Sequence, residues 1–201
     1  MIKAVIFDLN GVFIVSPKLS QRFQADYSIS QETFLPALSE IMDKVRRPDA
    51  LPAFSYWRPY LEAWGIDLDE QQFWDYWFGA EKESPEMIGL ASELRRQGIT
   101  VIVLSNNFKE RSEYYAHYPA LQTAVDHIYY SWQTGFVKPD PQAWQYVIEH
   151  NNLKPDECIY FDDQDKNIRS AESLGIRSHM FVDTNVTRQI LVDDGVITRA
   201  V

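Results

Sequence analysis

Five short apolar runs rich in β-branched or aromatic residues recur at 2–7, 99–104, 127–130, 158–161 and 177–182, and helical patterns fill most of the gaps between them. The helices carry start and stop chemistry. Ser84-Pro85-Glu86 supplies a cap, a proline at the first helical position and an acidic first turn, and Gly98 closes that helix. Asp140-Pro141 opens another, with Trp144, Val147 and Ile148 on one face, and a third runs over 165–174 to Gly175. Buried strands alternating with helices of this length predict right-handed βαβ units. The expected class is therefore α/β: a Rossmann-like, doubly wound parallel sheet covered on both faces.

Residues 16–83 break that rhythm. Ser30 caps a segment with Phe34, Leu35, Leu38, Ile41 and Met42 at helical spacing, and Asp69 with Gln72 forms a capping-box signature. Ten aromatic residues lie between Phe54 and Phe78. This reads as an α-helical insertion whose aromatics build its own core, with a few facing a ligand site. The expected division is a core of 1–15 and 84–201 and an inserted unit of 16–83.

The chain has 201 residues, of which 45% are hydrophobic, enough for a substantial core and a small accessory unit. The net charge of −10 disfavours nucleic acid and anionic membrane, both of which need clustered Lys and Arg. A small anionic ligand would need local positive charge. No apolar run reaches the roughly 20 residues of a membrane span, and the N-terminus lacks the long apolar stretch of a secretory signal. The single cysteine, Cys158, excludes an internal disulfide and fits a cytoplasmic protein. A monomer or weak homodimer is expected.

In a doubly wound sheet, ligands bind beyond the carboxyl ends of the strands. There the chain places Asp8-Leu9-Asn10-Gly11, Ser105-Asn106-Asn107, Lys138 and Asp162-Asp163. Each has an ordinary explanation. Asp163 or Asp165 could cap the next helix, Ser-Asn-Asn is turn chemistry, and a lysine before proline is usually a solvated loop residue. Together they supply a carboxylate, a hydroxyl with backbone amides, an ammonium and an acidic pair at one sheet edge. Phosphoryl transfer needs an in-line nucleophile and positive charge around the equatorial oxygens. Asp8 is the candidate nucleophile. Asp8, Asp163 and the backbone carbonyl of Asn10 could hold Mg2+. Ser105 and the amide of Asn106 would bind a phosphoryl oxygen, and Lys138 would neutralise developing charge. His117, His127, His150 and His179 show no ligand spacing, and Asp193-Asp194 reads as a solvated helix end.

At FDLNGV, VLSNN, GFVKPDP and YFDDQDKNI the chain resembles the haloacid dehalogenase superfamily, and all four motifs stand in the family order. The resemblance aligns Asp8, Ser105, Lys138 and Asp162-Asp163, with Asp163 as the direct metal ligand and Asp162 behind it. It implies that the insertion is a cap closing over the site about hinges near 14–17 and 79–85. The stretch HYPALQTAVDHIYYSWQTGFVKPDPQAWQYVI is similar to the branch with bacterial glucose-1-phosphate phosphatase and the phosphatase domain of epoxide hydrolases. That likeness implies a magnesium-dependent phosphatase acting on a small phosphorylated metabolite, a sugar phosphate among the candidates, which an aromatic cap could stack against.

One position departs from the pattern. The family's usual phosphatases carry an acid two residues after the nucleophile, and here Asn10 stands there. Three readings stay open: a branch that works without the acid, an impaired phosphate-binding relative, or an engineered change. A response-regulator receiver uses similar parts in the reverse order. A haloalkanoic acid dehalogenase resembles this chain less, since that branch lacks the acidic pair.

Overall fold

A computed structural model describes residues 1–198; residues 199–201, the end of the expected core, lie outside the described residues. Five parallel strands form the main sheet: β1 (Ala4–Phe7), β4 (Thr100–Ser105), β5 (His127–Tyr130), β6 (Cys158–Asp162) and β7 (Arg177–Met180), in the order β5-β4-β1-β6-β7. The chain winds from β1 outward to one edge, then returns past β1 to the other, so the strand order reverses at β1. The carboxyl end of β1 is thus the switch point where such sheets bind ligands.

Side-chain alternation covers both faces. Val5, Phe7, Val101, Val103, Ile159 and Phe161 point to one buried cluster, and Ala4, Ile6, Ile102, Leu104, Cys158 and Tyr160 to the other. A strand buried on both sides has no polar face, which is why these runs read as continuously apolar. Helices α5 (Pro85–Arg96), α7 (Pro119–Ala124) and α11 (Thr184–Asp193) contribute to the first cluster. Helices α9 (Gln142–His150) and α10 (Asp165–Ser173) contribute Trp144, Val147, Ile148, Ile168 and Ala171 to the second. The short α6 (Lys109–Tyr115) and α8 (Ser131–Thr134) follow β4 and β5.

Residues 19–78 form four helices, α1 (Leu19–Tyr27), α2 (Gln31–Val45), α3 (Ala53–Ala63) and α4 (Glu70–Phe78). Ser30 accepts from the Thr33 amide at 3.2 Å, and Asp69 and Gln72 form the reciprocal capping box. Phe23, Phe34, Phe54, Trp57, Phe73, Trp74, Trp77 and Phe78 share one buried cluster that also takes in Phe108 of the sheet domain. Leu35, expected in the α2 stripe, is exposed, because Phe34, Ala37 and Ile41 already fill the face that packs inward.

No strand was expected at the insertion's ends, yet β2 (Ile14–Val15) and β3 (Lys82–Glu83) pair there as an antiparallel ribbon. The two crossings between sheet and helices are therefore tied to each other side by side. No helix among the described residues is long and apolar enough to cross a membrane.

Candidate active site

Strand register delivers the acidic groups. Phe7 is level with Phe161 on β6, and the Asp8 amide donates to the Phe161 carbonyl at 2.9 Å, so Asp8 emerges beside Asp162. Ser105 ends the neighbouring β4. Lys138 reaches in from the loop before α9, and its ammonium donates to Asp8 Oδ1 at 2.8 Å, Asp162 Oδ2 at 2.7 Å and the Tyr160 hydroxyl at 3.1 Å. All three of its N–H bonds are engaged. Burial alone would lower the Lys138 pKa, but Asp8 and then Asp162 outweigh it and raise it, so the group stays charged.

Asp162 is fully enclosed and holds the site together. Its Oδ1 accepts from the Gln164 amide at 2.8 Å and from Asn167 Nδ2 at 3.0 Å, while Oδ2 accepts from Lys138, Asn167 and the Tyr160 hydroxyl. The Gln164 bond orders the turn before α10, whose N-terminus has no side-chain cap, so the capping role that sequence reasoning considered for Asp163 or Asp165 is filled by neither. Asp163 is left at the surface with its carboxyl free of that work.

Carboxylate oxygens of Asp8, Asp162 and Asp163 lie within 4.8 Å of one another. One ammonium faces three carboxylates. Burial pushes the Asp163 carboxyl up to about 6, and the charges of Asp8 and Asp162 add to the rise. Such a surplus of hard oxygen donors suits a small divalent cation, and Asp8 and Asp163 are the members with oxygens to give. Gly11 opens this space: its φ of +92° is left-handed, and a Cβ there would stand 2.9 Å from Asp163 Oδ2.

A cavity of about 330 Å³ opens above Asp8, lined among others by Asn10, Ser105, Asn106 and Lys138. Ser105 is 1% exposed, and its Oγ has no hydrogen-bond partner among the described residues. An unsatisfied buried hydroxyl facing a cavity is ready to meet a ligand oxygen. The Asn106 side chain is engaged elsewhere: its Nδ2 donates to the Lys138 carbonyl at 2.7 Å and its Oδ1 accepts from the Lys138 amide at 2.8 Å. It clamps the lysine loop, which leaves only the backbone of Asn106 for a ligand.

Sequence reasoning missed several residues here. Asp43 and Arg46, at the end of α2, line the cavity from the helical side, and Arg111 lines it from α6. The Arg46-Arg47 pair was the available signal, since an anion site in so acidic a chain needs imported positive charge. Glu81 is buried beside β3, accepts from Nε and Nη2 of Arg111, and accepts from the Tyr115 hydroxyl at 2.7 Å. Tyr115 in turn accepts from Asn10 Nδ2 at 2.7 Å. The aromatics expected to face the site do not: the residues lining the cavity include no aromatic ring, because the rings of α3 and α4 are consumed by the helical core.

The family model of the haloacid dehalogenase-like hydrolases matches residues 2–175. The chain belongs to this family. It is 34% identical over 97 residues to acyl-CoA dehydrogenase family member 10 of Mus musculus, covering 48% of this chain and 9% of that protein. With bifunctional epoxide hydrolase 2 of Sus scrofa it shares 23% identity over 92% of this chain and 37% of that protein. The chain thus spans well under half the length of both. D-ribitol-5-phosphate phosphatase of Bacteroides thetaiotaomicron is 24% identical, covering 89% of this chain and 91% of that one. A family enzyme from the same bacterium, crystallised with magnesium and inorganic phosphate, superimposes with a TM-score of 0.75 at 20% identity, covering 90% of this chain and 94% of that chain. This last likeness establishes the shared fold.

Proposed function

We propose that this hydrolase cleaves the phosphate monoester of a small metabolite, with magnesium bound and Asp8 as nucleophile. The observation that carries the reading is the arrangement at one cavity of Asp8, an orphaned Ser105 hydroxyl and a saturated Lys138. The phosphatase and the magnesium-phosphate complex among the relatives support the same chemistry.

Magnesium, held by Asp8, Asp163 and the Asn10 carbonyl, would supply the positive charge that lets a phosphate dianion approach a carboxylate. Lys138 holds Asp8 in one rotamer by ion pair, so that its other oxygen can attack phosphorus. The new bond is Asp8 O–P and the bond that breaks is P–O of the ester. Ser105 Oγ donates to a phosphoryl oxygen and Lys138 balances the charge that builds there. Asn10 has no proton to give, so the departing alkoxide takes one from water. Water then attacks the aspartyl-phosphate at phosphorus, releasing inorganic phosphate and restoring Asp8. A cavity of about 330 Å³ admits a small metabolite and excludes a phosphopolymer. We place the substrate among small phosphate esters of cytoplasmic metabolism, with the helical insertion as a cap that closes over them.

A panel of phosphorylated metabolites and p-nitrophenyl phosphate, assayed with magnesium and with excess chelator, tests this. Turnover of small esters only with magnesium is expected. Full activity in chelator, or activity confined to large phosphopolymers, would overturn it.

A further inference from the structure

Four cations line or floor the cavity near Asp8: Lys166 is exposed at its rim, and two of the others are already satisfied. Lys138 bridges two carboxylates, and Arg111 is forked onto Glu81. Arg46 differs. Its Nε is buried with no hydrogen-bond partner among the described residues, and none of their carboxylates forms an ion pair with it. Burial lowers its pKa first, and the like charge of Arg111 adds to this, while Asp43 and, least of all, Asp8 oppose them. In a chain with 29 acidic residues against 19 basic ones, a direct ion-pair partner for this partly buried guanidinium would be easy to provide, yet none of the described residues forms one. A buried N–H left without an acceptor is costly to keep, and an arriving oxyanion removes the cost. A planar fork is also the side chain best shaped for a carboxylate or phosphate.

Arg46 lines the cavity from the helical side, with Asp43 of the same helix and Arg111 of α6. The transferred phosphoryl group already has Ser105, Lys138 and a metal site on the opposite wall. We propose that Arg46 is a specificity residue that receives a second anionic group, a carboxylate or a second phosphate, on the part of the substrate that is not cleaved. This rests on the phosphatase reading above. It replaces the sugar-stacking surface first expected of the cap: with no ring in the cavity wall, charge selects the substrate.

The test uses matched pairs that differ only in the distal group. One pair is 2-phosphoglycolate and 2-hydroxyethyl phosphate; another is 1,3-propanediol bisphosphate and 3-hydroxypropyl phosphate. The wild-type protein should favour the charged member of at least one pair by tenfold or more in kcat/KM, and the pair that shows it tells carboxylate from phosphate. Arg46→Met should bring that ratio close to one, chiefly through KM, and Arg46→Lys should restore part of it. A wild-type ratio near or below one in both pairs overturns the proposal. So does a ratio unchanged in Arg46→Met, which would place the selectivity on another cation of the cavity such as Lys166. Calorimetric binding of the same pairs to Asp8→Asn protein gives the ratio without turnover, so a protein that hydrolyses nothing would refute the phosphatase reading while this inference is still decided.

Discussion

Asn10 Nδ2 donates to the Tyr115 hydroxyl at 2.7 Å, and that hydroxyl donates onward to Glu81 Oε2 at 2.7 Å. A phenol has one proton, so a hydroxyl that gives it to a carboxylate can only accept from residue 10. Burial raises the Tyr115 pKa well above its ordinary value, which keeps that proton in place. The network therefore calls for a donor at position 10, and an amide provides one at every pH.

Asn10→Asp puts a carboxyl where a donor is needed, with Arg111 already held by Glu81. The new carboxyl must keep its proton to fit, so its folded pKa rises above the unfolded value. Its contribution to stability is present at low pH and lost as pH rises through that folded pKa. We expect kcat at neutral pH to change by less than about tenfold, and the melting temperature relative to wild type to fall between pH 5 and pH 8. Turnover raised by about 10² or more, the scale of general acid catalysis, would show instead that position 10 is a lost acid.

Glu81 has a fully buried side chain that neutralises Arg111, which is 14% exposed. Removing one partner of a buried pair strands the other charge, at about 3–5 kcal/mol. Glu81→Ala should therefore lower the melting temperature by roughly 10 °C for a chain of this size, read by calorimetry. A shift of a degree or two would mean that water reaches Arg111 freely.

Asp8→Asn removes the proposed nucleophile while leaving Asp162 to hold Lys138 at 2.7 Å. The fold should survive and turnover should drop by several orders of magnitude. Activity within about tenfold of wild type would exclude the covalent route.

The sheet was legible because its strands are buried on both faces, so composition alone marks them, and Ser84, Ser30 and Asp69 announce their helices through cap chemistry. The wall of the site that comes from strand ends was legible for a related reason: Asp8, Ser105 and Asp162 each directly follow or end a recognisable apolar run. The opposite wall was not. Arg46, Arg111 and Glu81 meet there only through the packing of α2, α6 and the β2–β3 ribbon, with sequence separations of 30 residues or more between the paired groups. Nor does an aromatic residue's type say whether its ring fills a helical core or faces a ligand. The rings of α3 and α4 were needed for the core of a four-helix unit too small to do without them.

Cys158 lies in the floor of the sheet, 0% exposed, and burial pushes its thiol up to about 12. The thiolate is the reactive form, so folded protein at pH 8 should resist iodoacetamide while unfolded protein is alkylated readily. Rapid labelling of the native state by mass spectrometry would show that β6 opens locally.

The last expectation links metal to pH. Asp163 holds its proton up to about pH 6 in the folded, metal-free protein, against about 3.8 when unfolded. The folded state thus binds the proton more tightly, so stability falls as pH rises from about 3.8 to about 6 and stays lower above that window. Asp163 is exposed, which makes the loss small. A divalent cation competes with that proton and answers the charge that Asp8, Asp162 and Asp163 leave unbalanced. Magnesium should accordingly raise the melting temperature by several degrees at pH 7.5 and much less at pH 5, and Asp163→Asn should remove most of the rise at pH 7.5. An equal rise at both pH values, or one that survives in Asp163→Asn, would place the ion elsewhere.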